Sequence, residues 1–237
     1  MKALILAAGF GSRLAPITDE CPKALVPVNG TPIIFKQIDN LLENGITDIT
    51  VVSGYKAEIL EKRVTEKYPA IRVINSVDYA TTNNMYSAYI AKEAIGNSEF
   101  LMMNADVYYD SSVVKALLEC GHENAIVTDI GSYSEESMKV VEKDGRLIDI
   151  SKQIPPSDAL GCSIDVYKFS SEGGKAFFDR CAHYIEKEKI LNKWSEVALN
   201  DVLKTVSFKA CALVGRWYEI DNFDDLEKAE RLFKTEA

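Results

Sequence analysis

The sequence predicts an α/β protein: a doubly wound, mostly parallel mixed sheet with a small antiparallel excursion. Three observations carry this. Short apolar, β-branched runs alternate with helical stripes through the first half, which is the signature of successive βαβ units. The first run opens into a loop of small residues, as phosphate-binding crossovers do. The second half changes to short strands separated by turn residues.

Ala3 to Leu6 reads as the first strand, and Pro32 to Glu43 as a helix, because Ile33, Ile34, Ile38, Leu41 and Leu42 share one face. Gly45 ends that helix. Asp48 to Ser53 is strand-like, Lys56 to Tyr68 helical and Ile71 to Ile74 a strand. Asn83 or Asn84 caps a helix reaching Glu93, and Phe100 to Asn104 is a strand that runs into Ala105-Asp106. In the second half Asn124–Thr128, Met138–Glu142, Leu147–Ser151 and Cys162–Phe169 read as the antiparallel excursion, with a hairpin signal at Asp144-Gly145. Helices over about Glu172–Glu188 and Glu196–Lys204, a strand near Phe208–Val214 and a helix over Phe223–Lys234 complete the chain. With no repeat or linker, residues 1–237 read as one domain, 1–110 forming a nucleotide-binding half and 111–237 an acceptor-binding half.

Composition narrows the function. A net charge of −9 argues against a general nucleic-acid binder. Five cysteines without a Cys-x-x-Cys pair, and only two histidines, argue against zinc and suit the reducing cytoplasm. Met1 to Ala8 superficially resembles a signal peptide, but the run stops at Gly9 and reads as a buried strand. Nothing approaches the roughly 18 apolar residues of a membrane span.

Chemistry concentrates at the N-terminus. Leu6, Ala7, Ala8, Gly9, Phe10, Gly11 and Ser12 form a loop whose N–H groups can approach a polyphosphate, and Arg13 and Lys23 add positive charge. The loop is not a P-loop, since no Lys-Ser or Lys-Thr follows its glycines. Leu14 stands where a dinucleotide fingerprint needs a small residue. Ligands of such sheets bind beyond the strand ends, where Gly9, Gly54 and Asp106 fall. Asp106 there either holds Mg²⁺ or caps the next turn with Asp110 and Ser111. Asp221 precedes the last helix, as an N-cap would.

Leu6-Ala-Ala-Gly-Phe-Gly-Ser-Arg-Leu14 together with Pro22-Lys-Ala-Leu-Val-Pro-Val28 resembles the signature of the nucleotidyltransferases that activate phosphorylated small molecules. The resemblance implies a Rossmann-like nucleotidyltransferase fold and a metal, Mg²⁺, shared by Asp106 and Asp221. Lys23 and Arg13 join these two as catalytic residues. Gly54 and Tyr55 then meet the nucleotide base, Thr82, Asn83 and Asn84 its edge or ribose, and Ala105 completes the nucleotide site. Without the resemblance, Gly54 is an ordinary turn and Asn83 an ordinary cap. Met138-Lys-Val140, Ile150-Ser-Lys152 and Gly161 resemble the small-phosphate cytidylyltransferase branch, although Leu160 stands where that branch often carries Glu. Lys152 and Lys139 are therefore expected on the acceptor phosphate, or are surface lysines, with Tyr86, Trp217 and Glu219 also on the acceptor side. Tyr86, Tyr89, Trp194, Trp217 and Tyr218 are candidates for an aromatic cage around a choline ammonium, or belong to the core.

The implied reaction is CMP transfer from CTP to phosphocholine, 2-aminoethylphosphonate or a similar acceptor, releasing pyrophosphate. The alternatives are a uridylyl- or thymidylyltransferase acting on a sugar 1-phosphate, and a non-catalytic nucleotide-binding subunit. Membrane insertion is not expected, and relatives of this type often pair as homodimers.

Overall fold

The computed structural model describes residues 1–234. The chain begins with strand β1 (Lys2–Ala7), the short helix α1 (Ile17–Glu20) and the small hairpin β2 (Pro27–Val28) and β3 (Thr31–Pro32). Asn29 and Gly30 both have positive φ, the I′-like turn chemistry of a two-residue hairpin. Then come α2 (Ile33–Glu43), β4 (Ile49–Ser53), α3 (Ala57–Lys67), β5 (Arg72–Asn75), α4 (Asn84–Ile90), α5 (Lys92–Ile95) and β6 (Phe100–Asn104). The second half contains β7 (Val107–Tyr109), α6 (Ser111–Glu119), β8 (Ala125–Ile130), β9 (Lys139–Lys143), β10 (Arg146–Ser151) and β11 (Gly161–Phe169). It ends with α7 (Ser171–Ala182), α8 (Ser195–Val202), β12 (Lys209–Ala212), β13 (Trp217–Glu219) and α9 (Phe223–Leu232). No helix among the described residues is long and apolar enough to cross a membrane.

The main sheet is a nine-stranded mixed sheet with the path β10-β9-β11-β6-β1-β4-β5, and β8 and β12 attach through β11. β1 lies parallel to both β4 and β6, so the strand order reverses direction there and opens a crevice at the strand ends. The antiparallel strands β8 to β11 belong to this same sheet, while β2–β3 and β7–β13 form two separate two-stranded sheets. β11 pairs with β6 through Val166–Phe169 and with β8 on either side of an irregularity between Ser163 and Tyr167. Alternation along β1 sends Ala3, Ile5 and Ala7 to one buried cluster and Leu4 and Leu6 to another.

The helix expected from Asn83 or Asn84 to Glu93 divides at Ala91 into α4 and α5. The long helix expected over Glu172–Glu188 leaves α-geometry at His183 and finishes as a π-helical turn to Lys187. β7 and α6 were not expected: β7 is three residues long and buried throughout, too short to show a period, and the stripe of Val113, Val114 and Leu117 in α6 covers only nine residues.

Packing is tight around Phe100, whose ring stacks on Phe169 at 4.7 Å and on Phe178 at 5.4 Å. A Cβ on Gly174 in α7 would lie 2.6 Å from the Phe100 ring. In an open helix Gly→Ala is stabilising. Here the clash reverses the sign, and Gly174→Ala is expected to lower stability by about 1–3 kcal/mol, read by urea unfolding. A gain in stability would show that the core yields more than this packing implies.

Candidate active site

The crevice is a cleft of about 440 Å³. β1 supplies its phosphate-type loop, with Leu6, Ala8, Gly9, Phe10 and Arg13 on the lining. Ala7 is buried beneath and Ser12 is exposed in the turn that follows. Gly11 has a φ of 64°, and a Cβ there would lie 2.7 Å from Lys23 Cβ, so the loop packs on the lysine stem only as glycine. Gly54 is equally constrained: a Cβ would meet Ala8 and Tyr79 below 3 Å. The Tyr55 N–H donates to the Ala8 carbonyl at 3.1 Å, so Gly54 and Tyr55 brace the loop from behind. Phe10 packs 5.1 Å from both Tyr55 and Tyr79, and Tyr79 joins the lining.

The two distant aspartates meet because β13 pairs with β7, placing Glu219 opposite Val107, and because the Ile220 N–H donates to the Asp106 carbonyl. Neither aspartate caps a helix. Asn222 caps α9 by accepting from the Asp225 N–H, and Asp110, not Asp106, precedes α6. Freed from capping, Asp106 and Asp221 converge on Lys23. Its ammonium donates to Asp106 Oδ2 at 3.0 Å and to Asp221 Oδ1 at 2.6 Å, and Arg13 donates to Asp221 Oδ2 at 2.8 Å. Burial opposes the charge on Lys23, but the two carboxylates outweigh it and hold its pKa above the usual lysine value. Burial likewise opposes ionisation of Asp221, which Lys23 and Arg13 overcome, lowering its pKa.

Glu219, expected on the acceptor side, also stands beside the aspartates: one oxygen each from Asp106, Glu219 and Asp221 lies within 4.8 Å of the others. Asp106 Oδ1 is buried and accepts no hydrogen bond. Three carboxylates with an orphaned buried oxygen fit a hard divalent cation. Gln37, fully buried in α2, aims this turn by donating both amide hydrogens, to the Asn104 and Val107 carbonyls flanking Ala105 and Asp106.

Burial, with Asp106 and Asp221 adding to it, raises the Glu219 pKa to about 7. A raised carboxyl is neutral below that value and charged above it. Divalent-ion affinity is therefore expected to fall as pH drops from 8 to 6, approaching about tenfold per unit for one linked proton. Glu219→Gln should flatten that slope in Mn²⁺ titrations; an unchanged slope would remove Glu219 from the site.

Thr82 and Asn83 line the cleft where α4 begins, and the Asn83 side chain accepts from the Asn84 N–H. Lys152, Trp217 and Glu219 also line it. Lys152 lies 3.8 Å from Glu136 and 5.2 Å from the centre of the Trp194 ring. Lys139 and Tyr86 are not on the lining. The Lys139 ammonium is turned inward and donates to the carbonyls of Ser134, Glu135 and Ser137, which fixes that loop. Tyr86 donates to Asp78 and Tyr89 to Glu186, while Tyr218 packs on the small core beneath α9. Of the five cage candidates, Trp194 and Trp217 face the cleft.

Asn84 lines the cleft beside Asn83 as expected, whereas sequence reasoning missed Asn104, Asp165 and Glu196, which also line it. Their signal lay in polar residues inside apolar strands and at a helix start, a pattern indistinguishable from capping until the sheet is assembled.

Residues 2–140 match the family profile described as nucleotidyl transferase. The chain is 32% identical to the choline-phosphate cytidylyltransferase of Streptococcus pneumoniae, over the whole of both chains. It is 38% identical to a 2-aminoethylphosphonate cytidylyltransferase of Lancefieldella rimae over 45% of this chain and 43% of that one. The solved structure of the CTP:phosphocholine cytidylyltransferase from S. pneumoniae superposes with a TM-score of 0.79 at 28% identity, covering 98% of this chain and 99% of the other.

Proposed function

The chain belongs to the nucleotidyl transferase family, and we propose that it transfers CMP from CTP to a small phosphate or phosphonate acceptor of the phosphocholine or 2-aminoethylphosphonate kind, with Mg²⁺ as its metal and pyrophosphate as the second product. The observation that carries this reading is the Lys23 ammonium bonded to both Asp106 and Asp221, beside the loop that follows β1.

An acceptor oxygen attacks the α-phosphorus of CTP, forming the new P–O bond as the bond to the bridging oxygen of pyrophosphate breaks. The acceptor is already ionised at neutral pH, so no side chain need remove a proton. The residues then act by position and charge, which dominate phosphoryl transfer. Lys23 neutralises charge at the α-phosphate. Arg13 and the backbone of residues 8–12 hold the departing pyrophosphate. Thr82 and Asn83 read the base or ribose, since asparagine offers both donor and acceptor to a cytosine edge. Lys152 receives the acceptor phosphate. Asp106, Asp221 and Glu219 would hold Mg²⁺, which would supply positive charge to the phosphates. In this reading residues 1–110 serve the nucleotide and 111–237 the acceptor, in the cytoplasm, where CTP is present and the five thiols stay reduced.

Pyrophosphate release across CTP, UTP, ATP, GTP and dTTP, each paired with phosphocholine, 2-aminoethylphosphonate, phosphoethanolamine and sugar 1-phosphates, tests this. CTP with one of the small acceptors is expected to exceed every other pair. Preference for UTP or dTTP with a sugar 1-phosphate, or no turnover at all, would contradict it.

A further inference from the structure

The inner end of the cleft holds two acids that no cation answers. Asp165 and Glu196 both line it, Glu196 being only 3% exposed, and among the described residues neither forms an ion pair with Lys, Arg or His. Both face the same hydroxyl: Tyr167 lies 2.8 Å from Asp165 Oδ1 and 2.8 Å from Glu196 Oε1. A phenol has one hydrogen and satisfies one of them. The arrangement therefore needs one further positive charge, either a proton or a ligand cation. Tyr167 and Ser195 both donate to Glu196 Oε1. Asn104 donates to Asp165 Oδ2 and holds that carboxylate in place. Asp165 is kept at a φ of 57°, a left-handed conformation that a non-glycine residue adopts at a cost. Burial first, then the charges of Glu196, Glu219 and Asp106, raise its pKa well above the usual carboxylate range.

We propose that Asp165 and Glu196 are the receptor for a primary ammonium group on the acceptor, so that the acceptor is a short, acyclic phosphate or phosphonate ending in –NH₃⁺. This rests on the functional reading above and narrows it. A primary ammonium brings three N–H donors, enough to serve both carboxylates and a neighbouring oxygen at once. A trimethylammonium has none. It would desolvate both acids without a hydrogen bond and would look instead for aromatic faces. Few are available here. Lys152 already stands over the Trp194 ring, and Phe10 and Tyr79 pack against one another and against Tyr55. Lys152 lines the same cleft, which gives the acceptor an anionic anchor as well as a cationic one.

The test is steady-state kinetics with CTP against 2-aminoethylphosphonate, phosphoethanolamine, phosphocholine and ethyl phosphate, the last lacking any cation. The primary ammonium acceptors are expected to exceed phosphocholine and ethyl phosphate by about 10- to 100-fold in kcat/KM, the range for a buried charge-assisted bond. Glu196→Gln and Asp165→Asn should raise KM for the ammonium acceptors by about tenfold or more, leave KM for CTP within about twofold, and collapse the preference over ethyl phosphate. The wild-type order of acceptors stands as a test even if a variant does not fold. Phosphocholine as the best acceptor, ethyl phosphate equal to the amines, or a preference that survives both substitutions would overturn the ammonium receptor while leaving CMP transfer intact. Absence of turnover with every acceptor and every nucleoside triphosphate would instead overturn the functional reading, and this inference with it.

Discussion

Lys23→Ala is expected to lower kcat by about 10²–10³, the usual loss when one preorganised donor is removed from a developing phosphoryl charge. The structure adds a second, opposite effect. In the resting site the ammonium stands between Asp106 and Asp221, where it competes with any divalent cation for the same oxygens. Removing it leaves two carboxylates with a single remaining partner, Arg13 on Asp221. Mn²⁺ should therefore bind the variant more tightly than the wild type when no nucleotide is present, although turnover falls. Thermal unfolding in saturating Mg²⁺ should change little, because the metal replaces the missing charge. Near-normal kcat, or weaker Mn²⁺ binding, would show that Lys23 only stabilises the fold.

Asp221→Asn is the second large effect, with an expected fall in kcat of about 10²–10³ and at least about 100-fold in divalent-ion affinity. The lost carboxylate charge leaves Lys23 and Arg13 under-neutralised and removes one of the three carboxylates grouped where a divalent cation would fit. The neighbouring residue separates function from folding. Asn222 caps α9, so Asn222→Ala should reduce stability by about 1 kcal/mol with turnover largely retained. Asp221→Asn should do the reverse. If both variants lose stability alike and keep activity alike, Asp221 belongs to the helix end and not to the site.

Much of the sheet was legible because buried parallel strands are continuous apolar runs. Ala3–Leu6, Asp48–Ser53 and Phe100–Asn104 each emerge within a residue or so of β1, β4 and β6. The family and the loop from Leu6 to Lys23 were also legible, because spacing along the chain is itself the signal. Less legible were contacts that depend on tertiary pairing. Glu219 joins Asp106 only through the β7–β13 ladder, and two-sided three-residue strands have no periodicity to read. Lys139 looked like a phosphate ligand in sequence, yet its strand register points it inward to three carbonyls, since a one-residue change of facing decides between cleft and core. Asp165 was hidden inside a strand pattern, because its outward carboxylate follows from a left-handed residue at the irregularity in β11.

The proposed mechanism requires that Asp106 and Asp221, remote in sequence, hold one divalent cation together. Electron paramagnetic resonance of Mn²⁺, titrated into the protein with a non-hydrolysable CTP analogue, measures that directly. One tightly bound ion per chain is predicted for the wild type, and none for the Asp106→Asn, Asp221→Asn double variant at the same concentrations. Equal Mn²⁺ binding by the two proteins would contradict the account.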